Sequence, residues 1–171
     1  MELMNQLTPK LKQLRLSGVL ETLDARHRQA VEGQWTHVEF LSRLLEDEVE
    51  RRAQKQLALR VRRATVNTAK TLENYDFSFN PSVKRRQIHD LATGAFIRES
   101  RDVLFVGPPG VGKSHLAQAI GHLAIRMGFK VLYRSVFDVV RELMESEAID
   151  GDRSVLSRYL RPDLLIVDDM G

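Results

Sequence analysis

With 171 residues, of which 43% are apolar and 29% charged, the chain is long enough for one ordinary globular core or for a core with a small appended module. It has no cysteine, no leader-like N-terminus and no apolar run near the roughly 18 residues of a membrane helix, so a cytoplasmic protein with no membrane partner is expected. The net charge of +3 is too small to indicate a partner by itself.

The positive charge of the chain is concentrated in one short block. Residues 1–50 carry 6 Lys/Arg against 9 Asp/Glu, and residues 73–171 carry 13 against 14. Residues 51–72 contain seven basic residues and no acid. This block, and not the overall pI, is therefore the evidence for a polyanionic partner.

The first third of the chain predicts helices. Apolar residues at spacings of three and four over residues 3–23 indicate two short amphipathic helices. Thr36-His37-Val38-Glu39 then has the form of a capping box, with Trp35 and Phe40 placed as a hydrophobic staple. We predict a helix of about 30 residues from Thr36, because apolar residues recur every four positions without Gly or Pro.

Basic side chains share one face of that long helix. At about 100° per residue, Arg51, Lys55 and Arg62 fall on one side. Clustered Lys and Arg on a helix face are the electrostatic footprint of phosphate-backbone contact, so sequence-tolerant, salt-sensitive DNA binding is predicted. A solvated helix surface, or an interface to an acidic subunit, would carry the same charges. The candidate DNA contacts are Arg51, Arg52, Lys55, Arg62, Arg63, Lys84, Arg85 and Arg86.

The helical pattern breaks around residues 73–82. Tyr75, Phe77 and Phe79 alternate as in an extended segment, and Asn80-Pro81-Ser82 supplies turn and N-cap chemistry. We place a domain boundary here, between a helical N-terminal module of residues 1–72 and a second domain of residues 73–171. A short helix is predicted from about Val83 to the stop signal at Gly94.

Beyond Ser100, strand-like and helix-like segments alternate. The predicted strands are residues 103–106, 130–134 and 164–167, and the predicted helices are residues 113–127, a helix that opens at residues 135–138, and residues 154–160. Alternation of this kind implies an α/β fold with a parallel sheet.

Between the first of these strands and the helix that follows it, Gly107-Pro108-Pro109-Gly110-Val111-Gly112-Lys113-Ser114 fits the Walker A pattern G-x-x-x-x-G-K-[ST]. Backbone N–H groups of such a loop, and the helix N-terminus behind it, hold the phosphates of ATP. Lys113 would carry a positive charge to the β- and γ-phosphates, and the Ser114 hydroxyl would be a magnesium ligand. A glycine-rich turn with a solvated lysine is the alternative, which the flanking strand and helix disfavour. The candidate ATP-binding residues are Gly107, Pro108, Pro109, Gly110, Val111, Gly112, Lys113, Ser114 and His115.

Two carboxylates, Asp168 and Asp169, follow the last apolar strand, some fifty residues after the loop. In P-loop enzymes the first acid steadies the magnesium, directly or through water. The second can orient or deprotonate the attacking water. Alone, such a pair is more often a solvated turn, but at this distance from a P-loop it has the form of a Walker B segment. We therefore expect Asp168 to be associated with the metal, and Lys113 and Asp169 to be catalytic.

The chain resembles AAA+ ATPases of the IstB/DnaC group, and most closely the IstB-like helpers encoded beside the transposase in certain bacterial insertion sequences. The resemblance rests on FSFNPS at residues 77–82, VLFVGPPGVGKSHLA at residues 103–117 and PDLLIVDDMG at residues 162–171, and on the helical module before them. His115 follows the P-loop serine in many relatives, where packing against the loop explains it more simply than a chemical role.

The resemblance implies an incomplete P-loop NTPase (AAA+) parallel sheet with helices on both faces, preceded by an all-α module. It also implies that the protein binds ATP, Mg²⁺ and DNA, that the complete protein is a homo-oligomer, and that it activates or targets a partner transposase. The alternative is a DnaC-like helicase-loader ATPase of DNA replication, which the likeness of residues 1–72 disfavours. A metabolic P-loop kinase is weaker still, since no substrate lid or acceptor-binding motif follows the loop.

The sequence stops at Gly171, directly after the two acids. In the family's sheet order, 5-1-4-3-2, a fourth strand separates the P-loop strand from the Asp168 strand, and here that strand, the sensor residue, the arginine finger and the lid are missing. We therefore expect that no shared structure supports the two halves of the site, the P-loop and Asp168. We also expect the chain alone to hydrolyse ATP near background. A truncated reading frame and a fragment would look the same.

Overall fold

The computed structural model describes residues 2–148 and 153–169, so Met170 and Gly171 of the third resembling stretch lie outside the described residues. Contacts divide the chain into two units, Met1–Gln56 and Leu57–Gly171, which are described separately. The division falls inside a helix, and residues 57–72 group with the second unit. The predicted boundary after residue 72 stays a prediction. No helix of the described ranges is long and apolar enough to cross a membrane.

The first unit is helical, as predicted. Its elements are α1 (Glu2–Gln13), α2 (Ser17–Glu32) and the first part of α3 (His37–Ala64). The core of the unit is formed by Val19, Leu23 and Leu44. Leu11, Leu16 and Phe40 pack against these three side chains.

The predicted capping box at the start of α3 is confirmed. The Thr36 N–H donates to Glu39 Oε2 at 2.7 Å, and the Glu39 N–H donates to Thr36 Oγ1 at 3.2 Å. These two bonds satisfy donors that a helix N-terminus otherwise leaves unpaired. The helix that follows is 28 residues long, close to the predicted length.

A buried carboxylate joins α2 to α3. Glu48 is only 4% exposed, and its Oε2 accepts the N–H groups of Gly18 at 2.6 Å and Val19 at 3.3 Å. Its Oε1 accepts Arg52 Nε at 2.6 Å. Burial disfavours the charged form, but these donors outweigh it, so the pKa of Glu48 lies below its ordinary value. Glu48 therefore caps the N-terminus of α2 from a different helix.

The second unit has the predicted α/β class. Its elements are the end of α3, then α4 (Arg85–Ala92), α5 (Ala95–Arg98), α6 (Lys113–Arg126), β1 (Val131–Ser135), α7 (Val136–Ala148), α8 (Arg153–Leu160) and β2 (Leu164–Asp168). The two strands pair in parallel, with Val131 opposite Leu164 and Ser135 opposite Asp168. This is the incomplete parallel sheet that the sequence predicted.

Helices cover both faces of this small sheet. On one face α6 lies very close to β2, because a Cβ added at Gly121 would stand 2.8 Å from Ile166 Cδ1. On the other face Arg134 of β1 forms an ion pair with Glu142 of α7, at 3.5 Å. The close approach that Gly121 allows fixes the position of α6, and hence of the loop at its N-terminus, relative to the end of β2.

The strand predicted at residues 103–106 is wrong, because this segment has no regular secondary structure. Phe105 packs into a cluster with Tyr75, Ile88 and Leu116, whereas Leu104 is 73% exposed and Val106 84% exposed. A strand requires a neighbour to accept and donate its backbone hydrogen bonds. Within the described part of the chain, β1 and β2 pair only with each other.

Candidate functional site

The glycine-rich loop turns sharply into α6. Gly110 has a φ of 80° and Gly112 a φ of 92°, values that side chains with a Cβ rarely adopt. Gly112 is the N-cap residue, and no side chain caps the helix there. The first N–H groups of α6 therefore have no side-chain partner at the cap, and the helix dipole makes this end attractive to an anion.

Lys113 folds over the loop. Its ammonium donates to the carbonyl oxygens of Gly107 at 2.7 Å and Pro108 at 2.8 Å. Both acceptors are neutral, so an anionic phosphate is a stronger partner for the same charge. The lysine is therefore positioned beside the loop and held by bonds that a phosphate can replace.

The structure brings together Ser114 and Asp168, the two residues predicted to hold magnesium. The Ser114 hydroxyl lies beside the Asp168 carboxylate and helps to lower its pKa. Tyr133 Oη donates to Asp168 Oδ2, at 2.8 Å, and the Asp169 N–H donates to Asp168 Oδ1, at 2.9 Å. Burial works against the charged form, yet these hydrogen bonds hold the pKa of Asp168 below its ordinary value. The carboxylate is thus kept ionised for a cation.

The expectation that no shared structure supports the two halves of the site is correct for the backbone, because no continuous sheet connects them. It is wrong for the side chains, which come together. A cavity of about 470 Å³ separates residues 101–107 from β2, with Lys113, Asp168 and Asp169 among its lining residues. Ser114 nevertheless reaches Asp168, because α6 packs directly on β2 through Gly121. Helix-to-sheet packing, rather than a continuous sheet, joins the halves.

Asp169 is placed differently from Asp168. It is exposed and has a φ of 59° in the left-handed region, and the hydrogen bond of its own N–H to Asp168 turns the chain there. Within the described ranges, no group of three or more His, Cys, Asp or Glu side chains is arranged so that it could hold a metal ion. The donor set at this site is one hydroxyl and two carboxylates, oxygen ligands of the kind that magnesium prefers.

The segment before α4 packs against the loop from behind. The Tyr75 ring lies so close that a Cβ on Gly112 would stand 2.9 Å from it. The His115 ring meets Tyr75 edge-on at 5.2 Å, and its Nε2 lies 2.8 Å from the Thr71 carbonyl oxygen. Asn80 Nδ2 donates to the Val111 carbonyl oxygen at 3.4 Å. These contacts give His115 a role in packing.

Sequence reasoning missed three residues near Asp168. Tyr133 lies opposite Ile166 in the β1–β2 register, and side chains two apart on a strand share a face, so it reaches Asp168. Gln118 of α6 is 3% exposed and lies beside the Tyr133 hydroxyl, where it works against the rise in the Tyr133 pKa. The positive charge of Lys70 also favours the ionised form of Asp168. Only the strand register could have revealed Tyr133.

Two of the candidate DNA-binding residues form ion pairs and hydrogen bonds within the first unit. Arg51 forms an ion pair with Glu21 at 3.0 Å and donates to Ser17 Oγ. Arg52 pairs with Glu48, and its Nη2 donates to the Arg15 carbonyl oxygen at 3.2 Å. These guanidinium groups bind α3 to α2 and to the turn before α2.

The other candidate DNA contacts are on exposed residues. Arg85 lies over the Phe77 ring, 4.7 Å from its centroid. Within residues 2–148 and 153–169, no ion pair is found for Lys55, Arg62, Arg63, Lys84 or Arg86. Their charge is therefore not neutralised by a close acidic partner in the part of the chain that the structure describes.

Comparison with known proteins gives a single family. Residues 9–171 match the family described as IstB-like ATP binding protein. The chain is 38% identical over 159 residues to an insertion-sequence ATP-binding protein of Mycobacterium tuberculosis. The aligned region covers 93% of this chain and 63% of that protein. For the ATP-binding protein of insertion sequence IS5376 from Geobacillus stearothermophilus, identity is 34% over 158 residues, with 92% and 63% covered.

A third relative, the ATP-binding protein of insertion sequence IS21 from Pseudomonas aeruginosa, is 32% identical over 168 residues, with 98% of this chain and 63% of that protein covered. The chain thus spans 63% of the length of each of these three relatives. A family match over nearly all of the chain, in a family defined by ATP binding, agrees with the loop and the carboxylates described above. The chain belongs to the IstB-like ATP-binding protein family.

Proposed function

We propose that this chain binds ATP together with Mg²⁺ at the loop Gly107–Ser114 and at Asp168, and that it acts in insertion-sequence transposition as a helper that engages DNA and a partner transposase. The observation that supports the site most directly is the placement of the Ser114 hydroxyl beside the Asp168 carboxylate, close enough to lower the pKa of that carboxyl. It brings together the hydroxyl and the carboxylate that a P-loop site needs for its metal, at the uncapped end of α6.

Each residue has a separate task in this site. The N–H groups at the start of α6 surround the phosphates, and Lys113 exchanges two neutral carbonyl partners for phosphate oxygens. Ser114 and Asp168 would hold Mg²⁺, which would neutralise part of the phosphate charge. Asp169, exposed at the edge of the cavity, would orient the attacking water.

Nucleotide binding is tested with Lys113→Ala. Loss of the ammonium should weaken ATP binding at least tenfold, about 1.4 kcal/mol, because backbone N–H groups neutralise the phosphates only in part. Lys130→Ala is the matched control, since its side chain is exposed in the same unit and lies outside the cavity lining. Isothermal titration calorimetry with ATP and Mg²⁺ measures both variants. Equal affinity of Lys113→Ala and wild type would remove the P-loop assignment.

The role of Asp169 is tested separately by phosphate release. Asp169→Asn keeps a side chain that tolerates the left-handed backbone at this position. ATP affinity should stay within about twofold of wild type while any turnover falls by about 10² or more, the usual contribution of a general base. Turnover that exceeds background in wild type and is unchanged in Asp169→Asn would exclude Asp169 as the residue that activates water.

The insertion-sequence context favours a transposase as the partner. All three relatives described above are named as insertion-sequence ATP-binding proteins, which supports the transposition helper over a helicase loader. Co-purification with the transposase of the same element, compared with a replicative helicase, tests the choice. Retention of the helicase alone would reverse it. We propose that the complete protein forms a homo-oligomer, which light scattering with and without ATP measures.

DNA binding is proposed for the exposed cations that lack a close acidic partner. Removing one phosphate-binding cation should reduce the slope of log K against log salt by about 0.9 on B-DNA, so the slope for the triple variant Lys55→Ala, Arg62→Ala, Arg63→Ala should fall by up to about 2.7. Arg51→Ala is the control on the same helix, because Arg51 is already paired with Glu21. Its slope should change by less. If the triple variant binds random duplexes like wild type at all salt concentrations, these residues form an ordinary solvated surface.

A further inference from the structure

A row of polar groups leads from the backbone at residue 67 to Asp168. The Asn67 N–H donates to Gln118 Oε1 at 2.8 Å, and the Gln118 side chain lies beside the Tyr133 hydroxyl. Tyr133 in turn donates to Asp168 Oδ2 at 2.8 Å. Gln118 is 3% exposed, so water does not compete for these groups in the interior of the unit. The four groups come from separate parts of the second unit.

The chemistry of the amide fixes the direction of this row. A glutamine side chain has one carbonyl oxygen and one NH₂ group, and here the oxygen already accepts the Asn67 N–H. The NH₂ group is therefore the part of the amide available to the Tyr133 phenolic oxygen. A tyrosine hydroxyl has a single proton, which is thus directed at Asp168.

Both oxygens of Asp168 are held independently of Ser114. Tyr133 holds Oδ2 and the Asp169 N–H holds Oδ1, at 2.8 Å and 2.9 Å. Each carboxylate oxygen can accept more than one bond, so these contacts leave room for a cation. The Ser114 oxygen would have a lone pair available for the cation. The orientation of the carboxylate is set by the two donors that would not themselves bind the metal, Tyr133 and the Asp169 N–H.

We propose that Tyr133 is a positioning residue, which holds the Asp168 carboxylate in the orientation needed to bind the magnesium of ATP·Mg²⁺ together with Ser114. This inference rests on the proposed function of the site. Residues that orient a metal ligand typically change metal affinity by about 10- to 100-fold when they are removed. Because Tyr133 touches neither the loop backbone nor Lys113 in any described hydrogen bond, its removal should affect the metal and spare the nucleotide.

The test is the Mg²⁺ dependence of nucleotide binding by Tyr133→Phe. Affinity for a fluorescent ATP analogue is measured over a series of Mg²⁺ concentrations on the whole chain. The Mg²⁺ concentration at half effect should rise about tenfold or more, while affinity at saturating Mg²⁺ stays within about twofold of wild type. A purely structural role would lower affinity equally at every Mg²⁺ concentration.

Tyr159→Phe is the matched control. It also removes a tyrosine hydroxyl that donates to a carboxylate in the same unit, at 2.7 Å from Glu142 Oε2, but this pair is not connected to Asp168. Its Mg²⁺ midpoint should equal that of wild type. If Tyr133→Phe has the same midpoint as wild type and Tyr159→Phe, the proposal is overturned, although the nucleotide site would stand. If the nucleotide site itself is wrongly assigned, Lys113→Ala will instead bind ATP with the affinity of wild type.

A second variant leaves Tyr133 in place and covers the case in which Tyr133→Phe does not fold. Gln118→Glu keeps an oxygen for the Asn67 N–H but replaces the NH₂ group with an acceptor, so the Tyr133 proton turns away from Asp168. It should raise the Mg²⁺ midpoint in the same way. A wild-type midpoint in Gln118→Glu would also contradict the proposal.

Discussion

Glu48 offers the sharpest test of how the first unit is held together. Its carboxylate accepts the N–H groups of Gly18 and Val19 at the start of α2 and the guanidinium of Arg52. Glu48→Ala removes all three bonds at once. Trp35, the single tryptophan of the chain, lies in this unit, so its fluorescence during urea unfolding reports on the unit that is perturbed.

The size of the destabilisation follows from the backbone N–H donors that lose their acceptor. A buried donor without a partner costs about 1–3 kcal/mol. The hydrogen bond from Gly18 is short, so its loss should have the full free-energy cost. The hydrogen bond from Val19 is 3.3 Å long, so its loss should have only part of that cost. Arg52 is 55% exposed and returns to water, so it adds little. We expect the free energy of unfolding to fall by about 2–4 kcal/mol.

The pH dependence gives an independent check. The pKa of Glu48 is lowered from 4.5 in the folded state, so its contribution to stability is fully present above that ordinary value and is lost as the pH falls through the folded pKa. The stability difference between wild type and Glu48→Gln should therefore shrink below about pH 4.5.

The control is Glu50→Ala, on the same helix and exposed. It should change stability by less than about 0.5 kcal/mol, as surface substitutions do. If Glu48→Ala loses no more than Glu50→Ala, or if the difference from Glu48→Gln is the same at neutral and acidic pH, Glu48 does not cap α2 as an ionised group.

Three further predictions concern the second unit. Gly112→Ala should weaken ATP binding at least tenfold in calorimetry, since a Cβ would meet the Tyr75 ring at 2.9 Å on a backbone with a φ of 92°. Tyr75→Phe should leave the free energy of urea unfolding unchanged or raise it by up to about 1 kcal/mol, because the buried hydroxyl has no hydrogen-bond partner among the described residues. A clear loss would reveal a partner. Ile125→Ala should lower the same free energy by about 2–5 kcal/mol, since Ile125 is fully buried, and a loss below about 1 kcal/mol would contradict its place in the core.

The sequence alone was sufficient wherever the signal is local. The capping box at Thr36, the long helix after it, the helix behind the loop and the strands at residues 131–135 and 164–168 were all predicted within about two residues. Periodicity, capping and glycine turns act within a few residues, so these elements can be recognised without knowledge of their neighbours.

The segment at residues 103–106 shows where local reasoning stops. Its apolar run is typical of a buried strand, but a run of four residues does not contain the partner with which it would pair. In the structure it borders the cavity instead of a neighbouring strand, and Leu104 and Val106 are exposed.

The site depended on tertiary structure for its connections. The residue types at Ser114 and Asp168 predicted a magnesium site, but the two side chains lie side by side because Gly121 lets α6 pack closely on Ile166. Tyr133 reaches Asp168 only in the parallel register of β1 and β2, which pairs residues more than thirty positions apart.

Charge was the other property that the sequence left open. Arg51 and Lys55 look equivalent along the helix, yet Arg51 is paired with Glu21 of α2, whereas no ion pair is found for Lys55 within the described ranges. Interactions between exposed charges weaken with distance, are largely screened beyond about 10 Å and depend on burial, so the role of a charged residue is set by the neighbours that folding brings to it. The sequence determined where the charges are in the chain. Only the packing of α2 against α3 decided which of them are paired with acidic side chains.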